Sequence, residues 1–94
     1  MGYYIQTDGP KNKAKYLVEK HSALVIDEKK AEEVIDSQVF GVVCVVDNGP
    51  FEAAGFCYNK NEFEAFSDPN DYRRKTWLLM DRDVTKALTG YKGL

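Results

Sequence analysis

Two cysteines and one histidine are the side chains of this sequence that are best suited to nucleophilic or metal chemistry. Cys44 and Cys57 lack a Cys-x-x-Cys spacing, and one histidine is too few to complete a zinc site with them. His21 lies on the apolar stripe of a predicted helix, near its end, where packing or capping accounts for it. A nucleophilic pair of His21 with either thiol is the competing interpretation, since such partners meet in space rather than in sequence. We predict no metal site and no cofactor, and we expect both cysteines to be buried core residues.

Carboxylates are numerous, with 15 Asp and Glu in total, but they form no arrangement typical of acid–base catalysis. The segment 68–71, Asp-Pro-Asn-Asp, gathers oxygen ligands but lacks the glycine and the distant glutamate of a helix-loop-helix calcium site. Turn formation explains this segment. We therefore predict no catalytic residue, while enzymatic activity stays open because pockets form without local motifs.

The segment 71–77 places three adjacent cations between two aromatic residues. Arginine guanidinium groups pair with carboxylates or phosphates and also stack on aromatic rings. The residues predicted to form a ligand- or partner-binding surface are Tyr72, Arg73, Arg74 and Trp77, with Tyr3 and Tyr58 as further candidates. The alternative is a solvated loop in which Arg73 and Arg74 pair with nearby acids.

Length and composition indicate a single domain over residues 1–94. The formal net charge of −2 provides no overall field that would attract nucleic acid or acidic lipid. Charge is instead segregated, because residues 11–20 carry four lysines against one glutamate and residues 27–36 carry five acids against two lysines. The longest apolar run, 39–46, is too short for a membrane-spanning helix of about 18 residues. Few cysteines and the lack of a signal-like segment lead us to expect a reducing, cytoplasmic location.

Apolar residues recur at three- and four-residue spacing over 11–21, which predicts an amphipathic helix. Shorter helices are predicted over 28–35, between 59 and 67, and from 81 to 90, with Asp27, Asn59 and Asp81 at their starts and Gly90 as a stop.

Runs of β-branched and aromatic residues predict strands at 2–6, 39–46, 51–58 and 75–80, with a turn at 7–10 after the first. The segment 23–26 is either a short strand or the end of the first helix. The run 39–46 carries five valines and is apolar at odd and even positions alike. We therefore expect both faces of this strand to be buried.

The strands 39–46 and 51–58 are predicted to form an antiparallel hairpin. We expect a four-residue loop closed by Val46 and Phe51, because Pro50 has no N–H with which to close a two-residue turn. In this register Cys44 and Cys57 lie four positions apart along the ladder, roughly 13 Å. That separation is too long for a disulfide.

The order of elements contains the succession β-α-β-β-α-β over residues 3–80 and in this respect resembles the ferredoxin-like fold. The resemblance is topological and implies no functional residue. We predict a small α+β domain with a mainly antiparallel or mixed sheet of four to five strands, three to four helices, and a C-terminal helix added to a ferredoxin-like core. This topology places strand 39–46 at a sheet edge, so a helix, a second copy of the chain or a different strand order must cover it.

For function, we expect a non-catalytic accessory domain that binds another protein or a small molecule, because aromatic content is high without catalytic groups. One alternative is a small enzyme whose pocket forms between copies of the chain. Another is weak nucleic-acid binding through the basic helix and the arginines, which the acidic composition disfavours. We expect no membrane partner, and a homodimer stays open.

Overall fold

The computed structural model describes residues 3–7, 9 and 11–93. In chain order its elements are β1 (Tyr3–Ile5), α1 (Lys13–His21), β2 (Leu24–Ile26), α2 (Glu28–Val34), β3 (Phe40–Asn48), β4 (Phe51–Cys57), α3 (Lys60–Phe66), β5 (Lys75–Asp81) and α4 (Arg82–Thr89). The segment 23–26 thus contains a strand. The first residue of the predicted strand 2–6, and residues 8 and 10 of the predicted turn, lie outside the described residues.

The five strands form one antiparallel sheet in the order β1-β4-β3-β5-β2. Together with four helices, this sheet gives the predicted α+β architecture. The ferredoxin-like order is not confirmed, since β3 was expected at an edge and lies in the centre, between β4 and β5. The physical reason is that a strand with apolar side chains on both faces leaves the least apolar surface exposed to water in the middle of a sheet, where helices cover both faces.

Helices cover both faces of the sheet. On the face that we call the front, the core contains Leu17 of α1, with Leu88 of α4 packed against it. On the back face, the core contains Ala31 of α2 and Phe63 of α3. Residues 42–46 of β3 are all buried, which confirms the expected burial of both faces for this part of the predicted run, whereas Val39 and Phe40 at its start are 63% and 44% exposed. Helices and a different strand order supply this cover, so β3 does not require a second copy of the chain.

Three helices begin at the predicted caps, because side-chain oxygens of Asp27, Asn59 and Asp81 accept hydrogen bonds from backbone N–H groups three residues later. The helix α1 differs, since it begins two residues later than predicted and its flanking residue makes no side-chain cap. Instead, Glu52 of β4 accepts a hydrogen bond of 3.0 Å from the Lys13 N–H. A residue distant in sequence therefore caps α1.

The β3–β4 hairpin differs in register from the prediction. Asn48, rather than Val46, lies opposite Phe51, so Gly49 and Pro50 alone form the turn. Gly49 has φ +78, which suits the first central position of a type II′ turn. The predicted four-residue loop is wrong because Phe51, not Pro50, closes the turn, and the N–H that proline lacks is not needed.

Gly41 of β3 allows α4 to lie close to the sheet. A Cβ atom at this position would lie 2.8 Å from Thr85 Oγ1 and 3.4 Å from the Cα atom of Arg82.

We predict that Gly41→Ala lowers the free energy of unfolding by about 1–3 kcal/mol, because overpacking pushes α4 away from β3. Urea unfolding followed by the fluorescence of the single tryptophan measures this change. The double variant Gly41→Ala with Thr85→Ala should lose less unfolding free energy than the sum of the losses in the two single variants. If the losses are strictly additive, the two side chains do not clash directly.

Candidate interaction surface

The four residues predicted to form a binding surface lie in two environments. Tyr72 is 91% exposed, and Arg73 and Arg74 are exposed beside it. Trp77 is only 5% exposed and packs against Phe63 of α3, with ring centroids 5.0 Å apart. Trp77 is therefore a core residue, because β5 directs its side chain to the back face that α2 and α3 cover. Residues 72–74 form the exposed part, which we call the 72–74 corner.

Arg73 is held in place by acceptors on two sides. Its Nε and Nη2 atoms donate hydrogen bonds of 2.8 and 2.6 Å to the Asp71 carboxylate, and Nη1 donates one of 2.6 Å to Asn48 Oδ1 at the end of β3. Lys75 Nζ lies 3.8 Å from the same carboxylate. The alternative prediction, in which both arginines pair with nearby acids, therefore holds for Arg73. Within the described part of the chain, Arg74 forms no ion pair.

The charge of Asp71 depends on this arrangement. Hydrogen bonds from the Arg73 side chain and backbone hold the pKa of Asp71 well below its usual range. A carboxyl group whose pKa is lower in the folded than in the unfolded chain stabilises the fold above the unfolded pKa, and this contribution is lost as the pH falls. The 72–74 corner is therefore anchored at neutral pH.

An open groove of about 540 Å³ joins the 72–74 corner to β2. Its walls include Val25, Ile26, Glu28, Arg73, Lys75 and part of Trp77. The groove therefore brings Arg73 and Trp77 to one place, although Trp77 contributes only a small part of its surface. Apolar strand residues on one side and paired charges on the other give it a mixed character.

The edge strand β2 exposes aliphatic side chains. Leu24 is 63% and Val25 is 65% exposed, and within the described residues only β5 pairs with this strand. Natural proteins usually protect such edges with charged residues, proline or a covering segment, because an open apolar edge pairs with other chains. The sequence interpretation missed this surface, since three apolar residues between two helices are equally typical of a core strand.

A backbone hydrogen bond beside the last β3–β5 pair shows which residues of β5 bond to β3 and which bond to β2. In an antiparallel pair, residues alternate between pairs that exchange hydrogen bonds and pairs that do not. The Arg82 N–H donates to the Val39 carbonyl at 2.9 Å, next to the Phe40–Asp81 pair. By alternation, even-numbered residues of β5 bond to β3, and odd-numbered residues bond to β2.

The same alternation fixes which backbone groups of β2 point outward. Leu24 and Ile26 lie opposite Leu79 and Trp77, the odd-numbered residues of β5, so they exchange hydrogen bonds with β5. The N–H and C=O groups of Val25 therefore point away from the sheet. The edge combines an open backbone donor and acceptor with two exposed aliphatic side chains.

Cys44 and Cys57 lie on the back face and are closer together than the predicted register implies. Cys57 lies opposite Val42 rather than Phe40, so the two cysteines are diagonal neighbours on adjacent strands, with Cα atoms roughly 7–8 Å apart. Both thiols are free and buried. Burial raises the pKa of Cys44 to about 12 and also raises the pKa of Cys57. Neither thiol is suited to act as a nucleophile at neutral pH.

His21 lies on α1, with its ring centroid 5.6 Å from that of Tyr16. The helix α1 packs on the front of the sheet and both cysteines belong to the back, so the sheet separates His21 from either thiol. Among the described residues, no group of three or more His, Cys, Asp and Glu side chains is placed to hold a metal ion.

The further candidates Tyr3 and Tyr58 lie at the opposite edge of the sheet. Tyr58 stacks on Tyr91 at a centroid distance of 4.8 Å, and Tyr3 makes an edge-on contact with Tyr91 at 5.0 Å. Since β1 and β2 are the two edges of the sheet, this aromatic cluster is not part of the surface at β2.

A second open groove follows α1 and is lined by three of the four lysines that suggested nucleic-acid binding. Its lining includes Lys11, Lys15, Tyr16, Glu19 and Lys20. Lys11 Nζ is paired with Asp47 at 3.0 Å, and Glu19 adds a negative charge. Lys13 is buried, and its Nζ donates a hydrogen bond of 3.0 Å to Thr7 Oγ1. The exposed positive charge is therefore smaller than the number of lysines indicates.

Comparisons with protein-family models, curated proteins and solved structures find no match to this chain. Within the described residues, every helix is too short or too polar to cross a membrane.

The burial of both thiols predicts slow modification. We expect a disulfide reagent such as dithiobis-nitrobenzoate to react with Cys44 and Cys57 only when the fold opens, because the native structure shields both thiols from the reagent and burial disfavours the thiolate. The release of thionitrobenzoate at neutral pH measures the rate, and the chain in denaturant provides the control with both thiols reactive. Rapid reaction of either thiol in the native protein would contradict this burial.

The pairing of Asp71 with Arg73 predicts an altered titration. We expect the Asp71 carboxylate to remain ionised at about pH 3, where an aspartate with the ordinary pKa of about 3.9 is mostly protonated. The carboxyl carbon shift in an NMR titration reports the ionisation directly. Arg73→Met should return the pKa of Asp71 towards its ordinary value, and an unchanged titration in this variant would rule out Arg73 as the cause.

Proposed function

We propose that this chain is a non-catalytic protein-interaction domain that binds an extended segment of its partner along β2. The observation that carries the proposal is the exposed pair Leu24 and Val25 on an edge strand, next to outward-pointing backbone groups. An added strand gains main-chain hydrogen bonds and covers alternate side chains. Full burial of a Leu or Val side chain contributes about 1.5–3 kcal/mol.

The 72–74 corner supplies specificity beside this strand. Tyrosine and arginine are the residue types that most often contribute strongly to protein interfaces. Tyr72 is almost completely exposed, and Arg73 is already held by Asp71 and Asn48. A side chain ordered before binding loses less entropy when a partner docks. The adjoining groove, with Arg73 and Lys75 on one wall, accommodates a side chain of the added segment.

A small-ligand role and the two alternative functions, an enzyme and a nucleic-acid-binding protein, receive less support from the same surface. An enzyme or a small-ligand protein requires an enclosed pocket with convergent polar groups, whereas both grooves are open and the thiols are buried. Nucleic-acid binding requires unpaired cations, and Lys11 and Lys13 of the basic segment are engaged within the chain. A cytoplasmic location is part of the proposal, since free thiols are typical of reducing compartments.

Affinity capture from the cells that produce this protein tests the proposal. We expect Arg73→Ala with Arg74→Ala to release a partner that the unmodified chain retains, and to lower the thermal midpoint only slightly, because solvent screens the exposed Arg73–Asp71 pair. Leu24→Lys with Val25→Lys should release the same partner. The matched control is Lys15→Ala with Lys60→Ala, which removes one exposed cation from α1 and one from α3. A partner profile that is identical for all of these chains would remove β2 and the corner as the binding surface.

A further inference from the structure

We infer that the segment that pairs with β2 is β2 of a second copy of this chain, in an antiparallel arrangement with Val25 opposite Val25. The inference rests on the proposed function, because it names the partner of the same edge. It does not rest on β3, which the helices already cover. Three features of β2 and its neighbours carry it: the pattern of open backbone groups, the apolar side chains and the flanking charges.

The open backbone groups form a self-complementary set. In each trans peptide plane the C=O and N–H groups point in opposite directions. Leu24 and Ile26 direct their N–H and C=O groups to β5. In each peptide plane that contains one of these groups, the other group belongs to the adjacent residue and points outward. Along the edge these are the Ala23 C=O, the Val25 N–H, the Val25 C=O and the Asp27 N–H.

A two-fold axis at Val25 satisfies all of these groups at once. The N–H of Val25 in each copy meets the C=O of Val25 in the other copy. The Asp27 N–H of each copy meets the Ala23 C=O of the second copy, and Asp27 has the extended backbone, φ −88 and ψ 168, that this requires. A two-fold arrangement is also the commonest symmetry among homo-oligomers.

The side chains match in the same register. The two-fold axis is perpendicular to the sheet, so the front faces of the two copies lie on the same side. Leu24 of one copy therefore lies beside Ile26 of the second copy on the back face. On the front face Val25 lies beside its own equivalent. Cross-strand pairs of branched aliphatic residues stabilise antiparallel sheets, and Leu24 and Val25 are the most exposed of the three side chains of β2.

The charges that flank β2 favour antiparallel rather than parallel pairing. The helix before β2 ends in Lys20 and His21, and the helix after it is capped by Asp27 and begins with Glu28. In antiparallel pairing, the basic last turn of α1 in one copy lies near the acidic start of α2 in the other copy. Parallel pairing would place like charges together, which is unfavourable.

Sedimentation across a concentration series tests the inference. We expect the unmodified chain to approach twice its mass of 10.7 kDa as concentration rises. Val25→Pro should weaken the dimer by roughly tenfold or more, because it removes one of the reciprocal donors in each copy. The monomer should keep its far-UV circular dichroism, since proline is tolerated where the N–H points away from the sheet.

Tyr4→Pro is the matched control at the other edge. Tyr4 lies opposite Gly55, and alternation continued through β3 and β4 directs its N–H outward, as at Val25. We expect this variant to dimerise normally. In amide hydrogen exchange, protection of the Val25 N–H should rise with protein concentration and that of the Tyr4 N–H should not.

Each result leads to a different conclusion. A chain that is monomeric at every concentration, without protection at Val25, overturns the self-pairing. If that monomer still captures another protein and Val25→Pro abolishes the capture, the proposed function stands and only the identity of the partner is wrong. A dimer that Tyr4→Pro disrupts and Val25→Pro leaves intact places the contact at β1 and overturns the inference.

Discussion

The burial of both faces of β3 is the constraint on which the rest of the structure depends. Residues 42–46 present apolar side chains alternately to the front and to the back, and all of them are buried. Such a strand requires a hydrogen-bonded neighbour on each side and a helical layer on each face. The long hairpin partner β4 and the strand β5 occupy the two sides, and two helices cover each face. The three-layer arrangement is thus a response to one segment.

Because β3 lies in the centre of the sheet, the strands with unpaired backbone groups and exposed side chains are those at the two edges. The edges fall to β1 and β2, which contain three residues each. At β1 the exposed side chains are tyrosines, and Tyr3 packs in an aromatic cluster with Tyr58 and Tyr91. At β2 the exposed side chains are aliphatic and lie on the side where the 72–74 corner is anchored. The two edges therefore differ in chemistry, and the apolar edge is the one that gains most from being covered.

The sheet also separates the groups that seemed suited to chemistry. The thiols lie on the back, under α2 and α3, and the only histidine lies with α1 on the front. Burial keeps the thiols protonated. At the surface, Asp71 instead orients Arg73 beside β2. The groups suited to chemistry and the exposed apolar edge therefore lie in separate parts of the structure.

The sequence by itself determined most elements and much of the core. The valine-rich run predicted a strand whose residues 42–46 are buried on both faces. Asp27, Asn59, Asp81 and Gly90 specified helix ends, because these signals act through local backbone geometry and side-chain polarity. The exposure of Tyr72, Arg73 and Arg74 followed in the same way from their polarity and their position in a loop.

Only the tertiary structure decided the strand order, the hairpin register and the position of the candidate surface. The order depends on long-range pairing that carries no local signal, and a glycine followed by proline was compatible with more than one turn. Trp77 and Leu24 are both apolar strand residues, yet one is buried and the other exposed. That difference depends on which helix covers which part of the sheet, and so does the cap that Glu52 provides for α1. Such contacts join residues far apart in the chain, so no window of sequence contains them.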